Sequence, residues 1–328
     1  MHNSGRARMK RVILIAEREF SPQAMRMLAR VGRVIPFGSR SVFFKNLPRA
    51  HVVVAGLEVN FTKAVLDRAP RLELVASRTT QLRHIDRAET ARRGIAVVHI
   101  KGDSPVLRQI PSTAEETFAL VLALVRNIPW AMRSLEAGRW ERRRYGGHEL
   151  AGKTFGVIGF GRLGSYVARY ARAFGMRVIA YDPYVSASAM ARGGARRAGL
   201  NALLRAADVV SVHCVYSDRT AGMLGARHFR LMKPTAVFIN TARGEIADES
   251  ALLAALKAKR IAGAAVDTLA GETPDGAHVK THPLVDYART HENMIIVPHL
   301  GGATREATEK SMLHIAELTV QWCRRHPL

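Results

Sequence analysis

Short apolar runs alternate with helix-spaced apolar patterns along almost the whole chain. In the first third, residues 12–16, 33–36, 51–55, 72–76 and 95–99 are strand-length apolar runs, and 22–30, 62–69 and 86–93 carry helical patterns between them. That rhythm predicts βαβ units, hence a parallel sheet with helices on its faces. It breaks at residue 112. Ser112 is placed to cap a helix, with Glu115 three residues on, and the segment through Val125 is apolar nearly all round. Such a helix is buried on most sides, between two domains or in a subunit interface. A second βαβ series follows, with strands at 154–158, 177–181, 209–213, 236–240, 263–267 and 294–298. A final helix spans 304–324 with no strand after it. The fold class is α/β: two doubly wound units with parallel sheets, a boundary near residue 105, and a last helix free to pack back on the first unit.

Composition narrows the possibilities. With 328 residues, 48% hydrophobic and 23% charged, the chain has material for two ordinary domains and is not a disordered sequence. No apolar run approaches the ~18–20 residues of a membrane helix. The basic start (Arg6, Arg8, Lys10, Arg11) is followed only by the short run 12–16, closed by Glu17 and Glu19. A signal peptide needs a longer apolar stretch, so a buried first strand and a cytoplasmic location are expected. Two cysteines, Cys214 and Cys323, cannot build a disulfide scaffold or a four-cysteine zinc site, and no metal is expected.

Charge is the unusual quantity: 50 Lys and Arg against 27 Asp and Glu give +23. Clusters at 139–144, 192–197 and 324–325 contribute, but none is a long like-charge tail. With only 6% aromatic residues to supply stacking platforms, the excess reads as solvated arginine faces rather than a nucleic-acid surface.

The strand at 154–158 runs into Gly159-Phe160-Gly161-Arg162-Leu163-Gly164, and a helix follows over 165–174. A lone GxGxxG is weak evidence, but strand and helix are the context it needs. Gly159 permits the tight turn, Gly161 lets backbone approach a pyrophosphate, and Gly164 lets the helix lie close to the strand. The helix N-terminus offers N–H groups to phosphate. The next strand ends at Asp182, 18 residues beyond Gly164. That is near the spacing of the acid that binds the adenosine ribose, although an Asp before Pro183 also suits a turn. Residues 183 to 185 are Pro, Tyr and Val, with no arginine for a 2′-phosphate. NAD is therefore expected over NADP. Three further polar residues follow apolar runs: Arg243, Glu272 and His299. In an open α/β sheet ligands bind beyond the carboxyl ends of strands, so all three project toward the cofactor side.

Gly159–Gly164, residues 239–244 (INTARG), residues 263–267 with Glu272 five positions on, and residues 297–304 (VPHLGGAT) together resemble the D-isomer-specific 2-hydroxyacid dehydrogenases, in order and over about residues 70 to 320. The resemblance implies two Rossmann-like domains with a cleft between them. Residues 1–105, completed by the C-terminal helix 303–328, would be the substrate domain, and 106–302 the NAD-binding domain. It implies a homodimer through residues 112 to 126 and the following arm, and an oxidoreductase acting on a small anionic D-2-hydroxy acid or its 2-keto acid. His299 would exchange the proton at the substrate oxygen, Glu272 would hydrogen-bond the other ring nitrogen, and Arg243 would hold the substrate carboxylate and polarise the carbonyl. Imidazole suits the task because its reference pKa is ~6.5, and a guanidinium offers a fixed donor fork. Asp267 matches the contact to the nicotinamide amide. Thr80, Cys214, Thr241, Ala242, Gly301 and Gly302 match cofactor-contacting positions, Arg162 and Leu163 face the pyrophosphate, and Thr79, Thr80 and Gln81 match the substrate-carboxylate loop.

The chain also departs from the family pattern. The carboxylate loop commonly reads Gly-Thr-Gly, so Thr79-Thr80-Gln81 restricts the backbone. Thr273 separates Glu272 from Pro274, Val215 stands for a usual proline, Leu269 for a frequent Phe, and residues 101–108 replace an asparagine-rich hinge. Within that hinge Lys101 and Arg108 could reach a second anionic group, although charged loop residues are commonly solvated. Two alternatives come with the resemblance: an NAD-sensing corepressor-like binding protein, and a phosphite-type dehydrogenase. Neither changes the expected site.

Overall fold

Among the described residues, parallel pairing throughout organises twelve strands into two sheets. In chain order they are β1 (Arg11–Ala16), β2 (Gly32–Ile35), β3 (Val52–Ala55), β4 (Leu74–Ser77), β5 (Ala96–His99), β6 (Thr154–Ile158), β7 (Arg177–Tyr181), β8 (Arg196–Arg197), β9 (Val209–Val212), β10 (Val237–Asn240), β11 (Gly263–Val266) and β12 (Met294–Ile296). The computed structural model describes residues 11–101, 104–273 and 276–328. Arg6, Arg8 and Lys10 of the basic start, Gly102 and Asp103 of the hinge segment, and Pro274 lie outside the described residues.

The chain divides into two units. One comprises the residues up to Ile110 together with Arg305–Leu328, and the other runs from Pro111 to Thr304. The sequence boundary near 105 therefore falls within the turn Pro105–Gln109, whose Leu107 is buried in the first unit with Ile100, Ile110 and Ala307.

The first unit is a five-stranded sheet, order β2-β1-β3-β4-β5. Its strands are apolar on both sides because helices cover both faces. Ile13, Ile15, Val52, Val54, Leu74 and Ala76 face the helices Pro22–Leu28 and Arg305–Arg325 through Ala24, Leu28, Met312, Ile315, Ala316 and Val320. Leu14, Ala16, Val53 and Val75 face Phe37, Phe43, Phe61 and Leu66. Arg11 fastens the long helix to the sheet. It is only 6% exposed, pairs with Glu73 at 2.9 Å, donates to the carbonyls of Cys323 (3.1 Å) and His326, and lies 5.5 Å from the Trp322 ring centroid. An arginine at this depth is stable because its donors are met.

The second unit is a seven-stranded sheet, order β12-β11-β10-β9-β6-β7-β8. The order reverses between β6 and β9, the switch point beyond which dinucleotides bind in doubly wound sheets. One face buries Val210, Val212, Phe238, Ala264 and Val266 under the helices of the β9–β12 half. The other buries Phe155, Val157, Val178 and Ile239 beneath the helices Ser112–Val125 and Arg162–Ala173.

Several expectations need correction. Pro111, not Ser112, is the N-cap of the Ser112–Val125 helix. The Pro111 carbonyl accepts from Ala114 at 2.7 Å, while the Ser112 hydroxyl is buried without a hydrogen-bond partner. On one side that helix lies on the sheet of its own unit, with Phe118 stacked on Phe155 at 5.6 Å, so part of its expected burial is met within the unit. The helix after the glycine loop begins at Arg162 rather than at 165. Arg196 and Arg197 of the basic cluster 192–197 are exposed residues of the edge strand β8, paired with Ile179 and Ala180 of β7. A helix at Arg40–Asn46, capped by the Ser39 hydroxyl on Val42 N at 3.2 Å, has no counterpart in the sequence pattern.

Candidate active site

Three loops after β10, β11 and β12 carry the expected chemical groups, and the chain between them is fixed by backbone contacts. After β10, the Asn240 side chain accepts from Ala242 N (3.0 Å) and donates to the Arg243 carbonyl (2.8 Å), clamping the turn that carries Arg243. The Arg243 guanidinium is half-buried and donates through Nη1 to the Ala242 carbonyl at 2.5 Å. Gly244 follows because a Cβ there would stand 2.2 Å from Ala270 N. The Arg243 loop thus presses directly on the loop that carries Glu272. Thr241 is buried, its hydroxyl 2.9 Å from that of Thr117.

Glu272 accepts from Leu269 N through Oε1 (2.8 Å), and its Oε2 lies 2.7 Å from Nδ1 of His299. Burial alone would raise the Glu272 pKa. The hydrogen bond and charge of His299, the Leu269 N–H and the charge of Arg243 outweigh it and hold the carboxyl below its ordinary range. His299 responds in the opposite sense: the Glu272 hydrogen bond raises its pKa above the usual 6.5, against burial and Arg243. Nδ1 is committed to the carboxylate, which leaves Nε2 for chemistry. The backbone of His299 is left-handed (φ 55°), uncommon for a non-glycine residue. It is held there by His299 N donating to the Asp267 carbonyl at 2.9 Å.

Asp267, 1% exposed, is tied to the same loop. Its Oδ1 accepts from Leu300 N (2.5 Å) and Oδ2 from Gly301 N (3.0 Å). Burial raises its pKa against these donors. Glu249 supports the arrangement from behind: Oε1 accepts from Ala270 N at 2.8 Å, and Oε2 lies 3.1 Å from Nε2 of His282. Sequence reasoning missed Asn240, Gly244 and Glu249 as supports. The Asn240 side chain and Gly244 backbone act on neighbours three residues apart or in the next loop, and a helix-start Glu249 reads as a solvated charge.

The glycine loop follows β6 as expected. At Gly159 (φ +92°) a Cβ would lie 2.5 Å from Cys214 N, so the loop is in contact with the backbone just beyond β9. At Gly164 it would lie 2.1 Å from the Gly159 carbonyl oxygen, whereas at Gly161 nothing stands within 4 Å. The loop is closed where the helix meets the strand and open at the helix N-terminus, the shape a pyrophosphate needs. Asp182 accepts from Phe160 N and Tyr184 N, both at 2.9 Å, so one carboxylate makes the turn and braces the glycine loop. Arg162 opens the helix, and burial lowers its pKa. Leu163 is half-buried, and Gly302 is exposed beside buried Gly301. Burial pushes the Cys214 thiol up to about 11, so it is a neutral lining group.

In the first unit, Thr79, Thr80 and Gln81 follow β4. Thr79 Oγ1 donates to the Gln81 carbonyl at 2.6 Å and lies 2.9 Å from Ser77 Oγ, so the loop is locked by its own hydroxyls instead of by glycines. Thr80 is exposed, and Arg78 beside it pairs with Glu17. Lys101 and Arg108 are exposed. Among the described residues no group of three or more His, Cys, Asp and Glu could hold a metal ion, and no single helix is long and apolar enough to cross a membrane.

Comparison with known proteins shows what the chain as a whole is similar to. The sequence model for "D-isomer specific 2-hydroxyacid dehydrogenase, NAD binding domain" matches residues 118–301. The D-3-phosphoglycerate dehydrogenase of Archaeoglobus fulgidus is 35% identical over 290 residues, which is 88% of this chain and 53% of that enzyme. The chain spans about half the length of the curated relatives it matches. Among solved structures, D-lactate dehydrogenase from Aquifex aeolicus, complexed with NAD and lactic acid, superposes with a TM-score of 0.77 at 28% identity, covering 96% of both chains. An acyclic imino acid reductase in complex with NADPH and D-Arg superposes with a TM-score of 0.78 at 25% identity, covering 98% of this chain and 99% of its own.

Proposed function

Because the chain belongs to the D-isomer specific 2-hydroxyacid dehydrogenase family and carries its NAD-binding domain, we propose that it is an NAD-dependent oxidoreductase interconverting a small D-2-hydroxy acid and its 2-keto acid. The observation that carries this reading is the 2.7 Å contact between His299 Nδ1 and Glu272 Oε2, with Arg243 close enough to act on both by charge. When bound, the nicotinamide supplies or accepts the hydride. The chain's own residues do the rest. Glu272 keeps His299 protonated to higher pH than a free imidazole, so Nε2–H is available to the carbonyl oxygen in reduction and Nε2 takes the hydroxyl proton in oxidation. Arg243 binds the carboxylate and polarises the carbonyl. We read the first unit as the substrate domain, with Thr79, Thr80 and Gln81 as its carboxylate loop. The test is NADH oxidation with a panel of 2-keto acids. Tight NADH binding without turnover of any member would overturn the assignment.

The cofactor reading rests on Asp182. Its carboxylate can serve ribose hydroxyls as well as the two backbone N–H groups, since each oxygen accepts more than one hydrogen bond. Toward a 2′-phosphate it is a like charge, and like charges brought together at a binding surface cost several kcal/mol. Wild type should prefer NADH to NADPH, and Asp182→Ala should narrow the ratio of turnover efficiencies by roughly tenfold or more. A ratio that does not move would leave Asp182 as a turn residue alone.

The homodimer reading rests on the helix Ile128–Glu136. Ile128, Met132 and Leu135 are 44%, 58% and 58% exposed, and Trp140 just beyond is 84% exposed. Such a face is stable in water when a second copy covers it. Replacing Met132 and Leu135 together by Asp should halve the mass measured by light scattering. A mass unchanged by the double substitution would rule this face out as the interface.

A further inference from the structure

Among the described residues, Glu116 is the one carboxyl close to His299 and Asp267 to which the reading above gives no task. It projects from the start of the Ser112–Val125 helix. One turn earlier, Thr113 donates to the Gly301 carbonyl at 2.9 Å, while Gly301 N donates to Asp267. A Cβ on Gly301 would lie 2.9 Å from Oε2 of Glu116 and 3.0 Å from Oδ2 of Asp267. The two carboxyl groups therefore close on one spot. Oε2 of Glu116 is buried there without a hydrogen-bond partner. A buried carboxylate oxygen without a donor is costly, and a second negative charge beside it adds to the cost.

The groups that act on Glu116 are few. Asp267 faces it from the end of β11 and His299 from the loop after β12, with Glu272 and Arg243 acting in turn on His299. Toward β10 its own helix presents the uncharged Thr117–Thr241 pair, and the helix Arg162–Ala173 meets it through Phe118 and Tyr170. Burial first, then the charge of Asp267 and its capacity to accept a hydrogen bond, push Glu116 up to about 7, with His299 pulling the other way. Asp267 already holds two backbone N–H donors and Glu116 holds none, so the proton of the pair rests on Glu116.

We propose that Glu116 is a positioning residue that acts through Asp267 and couples a proton to the oxidation state of the cofactor: it is released to solvent when the cofactor binds with its ring oxidised and cationic, and kept when it binds with its ring reduced and neutral. This rests on the reading of Asp267 as the residue facing the nicotinamide amide. A pair carrying two negative charges attracts the oxidised ring, and a pair carrying one suits the reduced ring, whose binding offers no charge to offset the second carboxylate. Affinity for NAD+ then rises with pH through the range in which Glu116 ionises, and affinity for NADH stays nearly flat.

Proton release is measurable by calorimetric titration at pH 7 in buffers of different ionisation enthalpy. His299→Ala serves as the background, because it removes the other group titrating nearby. In that background, where the downward pull of His299 is gone, NAD+ should release at least about half a proton per site, NADH close to none, and added Glu116→Gln should abolish the NAD+ signal. In the unsubstituted chain, the infrared band of a protonated carboxyl should vanish on adding NAD+ and persist on adding NADH, a readout that needs no substitution at Glu116. Equal release with and without Glu116, or a band that persists with both cofactors, overturns this role and leaves the dehydrogenase reading intact. Failure of NAD+ to bind the wild-type chain overturns both.

Discussion

Keto-acid reduction by His299→Ala should fall by about 10²–10⁴-fold in turnover, the usual share of general acid–base catalysis, with NADH affinity little changed. Stopped-flow turnover and a fluorescence titration of NADH separate the two effects. The pH profile carries a second signature. Reduction requires protonated His299, so its rate is flat below the folded pKa and declines as pH rises through it, whereas oxidation climbs over the same range. The Glu272 hydrogen bond places that pKa above the ordinary 6.5. Glu272→Gln removes the negative charge and should move the decline in reduction to lower pH. A His299→Ala chain with wild-type turnover and profile would strip the residue of its role.

Arg243→Lys should cost about 10²–10³-fold in turnover, the scale of losing one preorganised donor at a developing oxyanion, and should raise the KM for the keto acid. An ammonium cannot offer two parallel donors to a carboxylate. Nor can lysine recover them by moving the backbone, because Asn240 clamps the turn and Gly244 abuts Ala270. Steady-state kinetics with a saturating cofactor would resolve both constants. An unchanged KM would mean that the substrate carboxylate is held elsewhere.

What the pattern of residues reveals, and what it hides, follows from range and burial. β6 and β7 span the residues expected of them, because the interior of a strand buried on both faces must be apolar and the polar residues Thr154 and Arg177 stand only at the ends. The glycine loop is legible because each glycine answers a local steric demand. Arg243, Glu272 and His299 are legible as polar residues that follow such strands. β8 is not, since two exposed arginines hold their place through backbone pairing with an edge and bury no side chain. Ser112 misleads because a hydroxyl within the first turn resembles one at the cap. Glu116 and Asp267 are separated by most of the second unit, and a lone carboxylate on a helix reads as a wetted charge until the fold sets another beside it.

The helix Arg305–Arg325 follows the second unit in the chain yet covers a face of the first. Chains grow from the N-terminus and domains fold largely as units during synthesis. The strands β1, β3 and β4 therefore leave the ribosome with Ile13, Ile15, Val52, Val54 and Leu74 still lacking Met312, Ile315, Ala316 and Val320. The second unit is contiguous and can close as soon as it emerges. The first unit is thus completed only after the second has emerged, and until then the helix Pro22–Leu28 alone covers that face, leaving the rest of it to whatever chaperone meets the nascent chain.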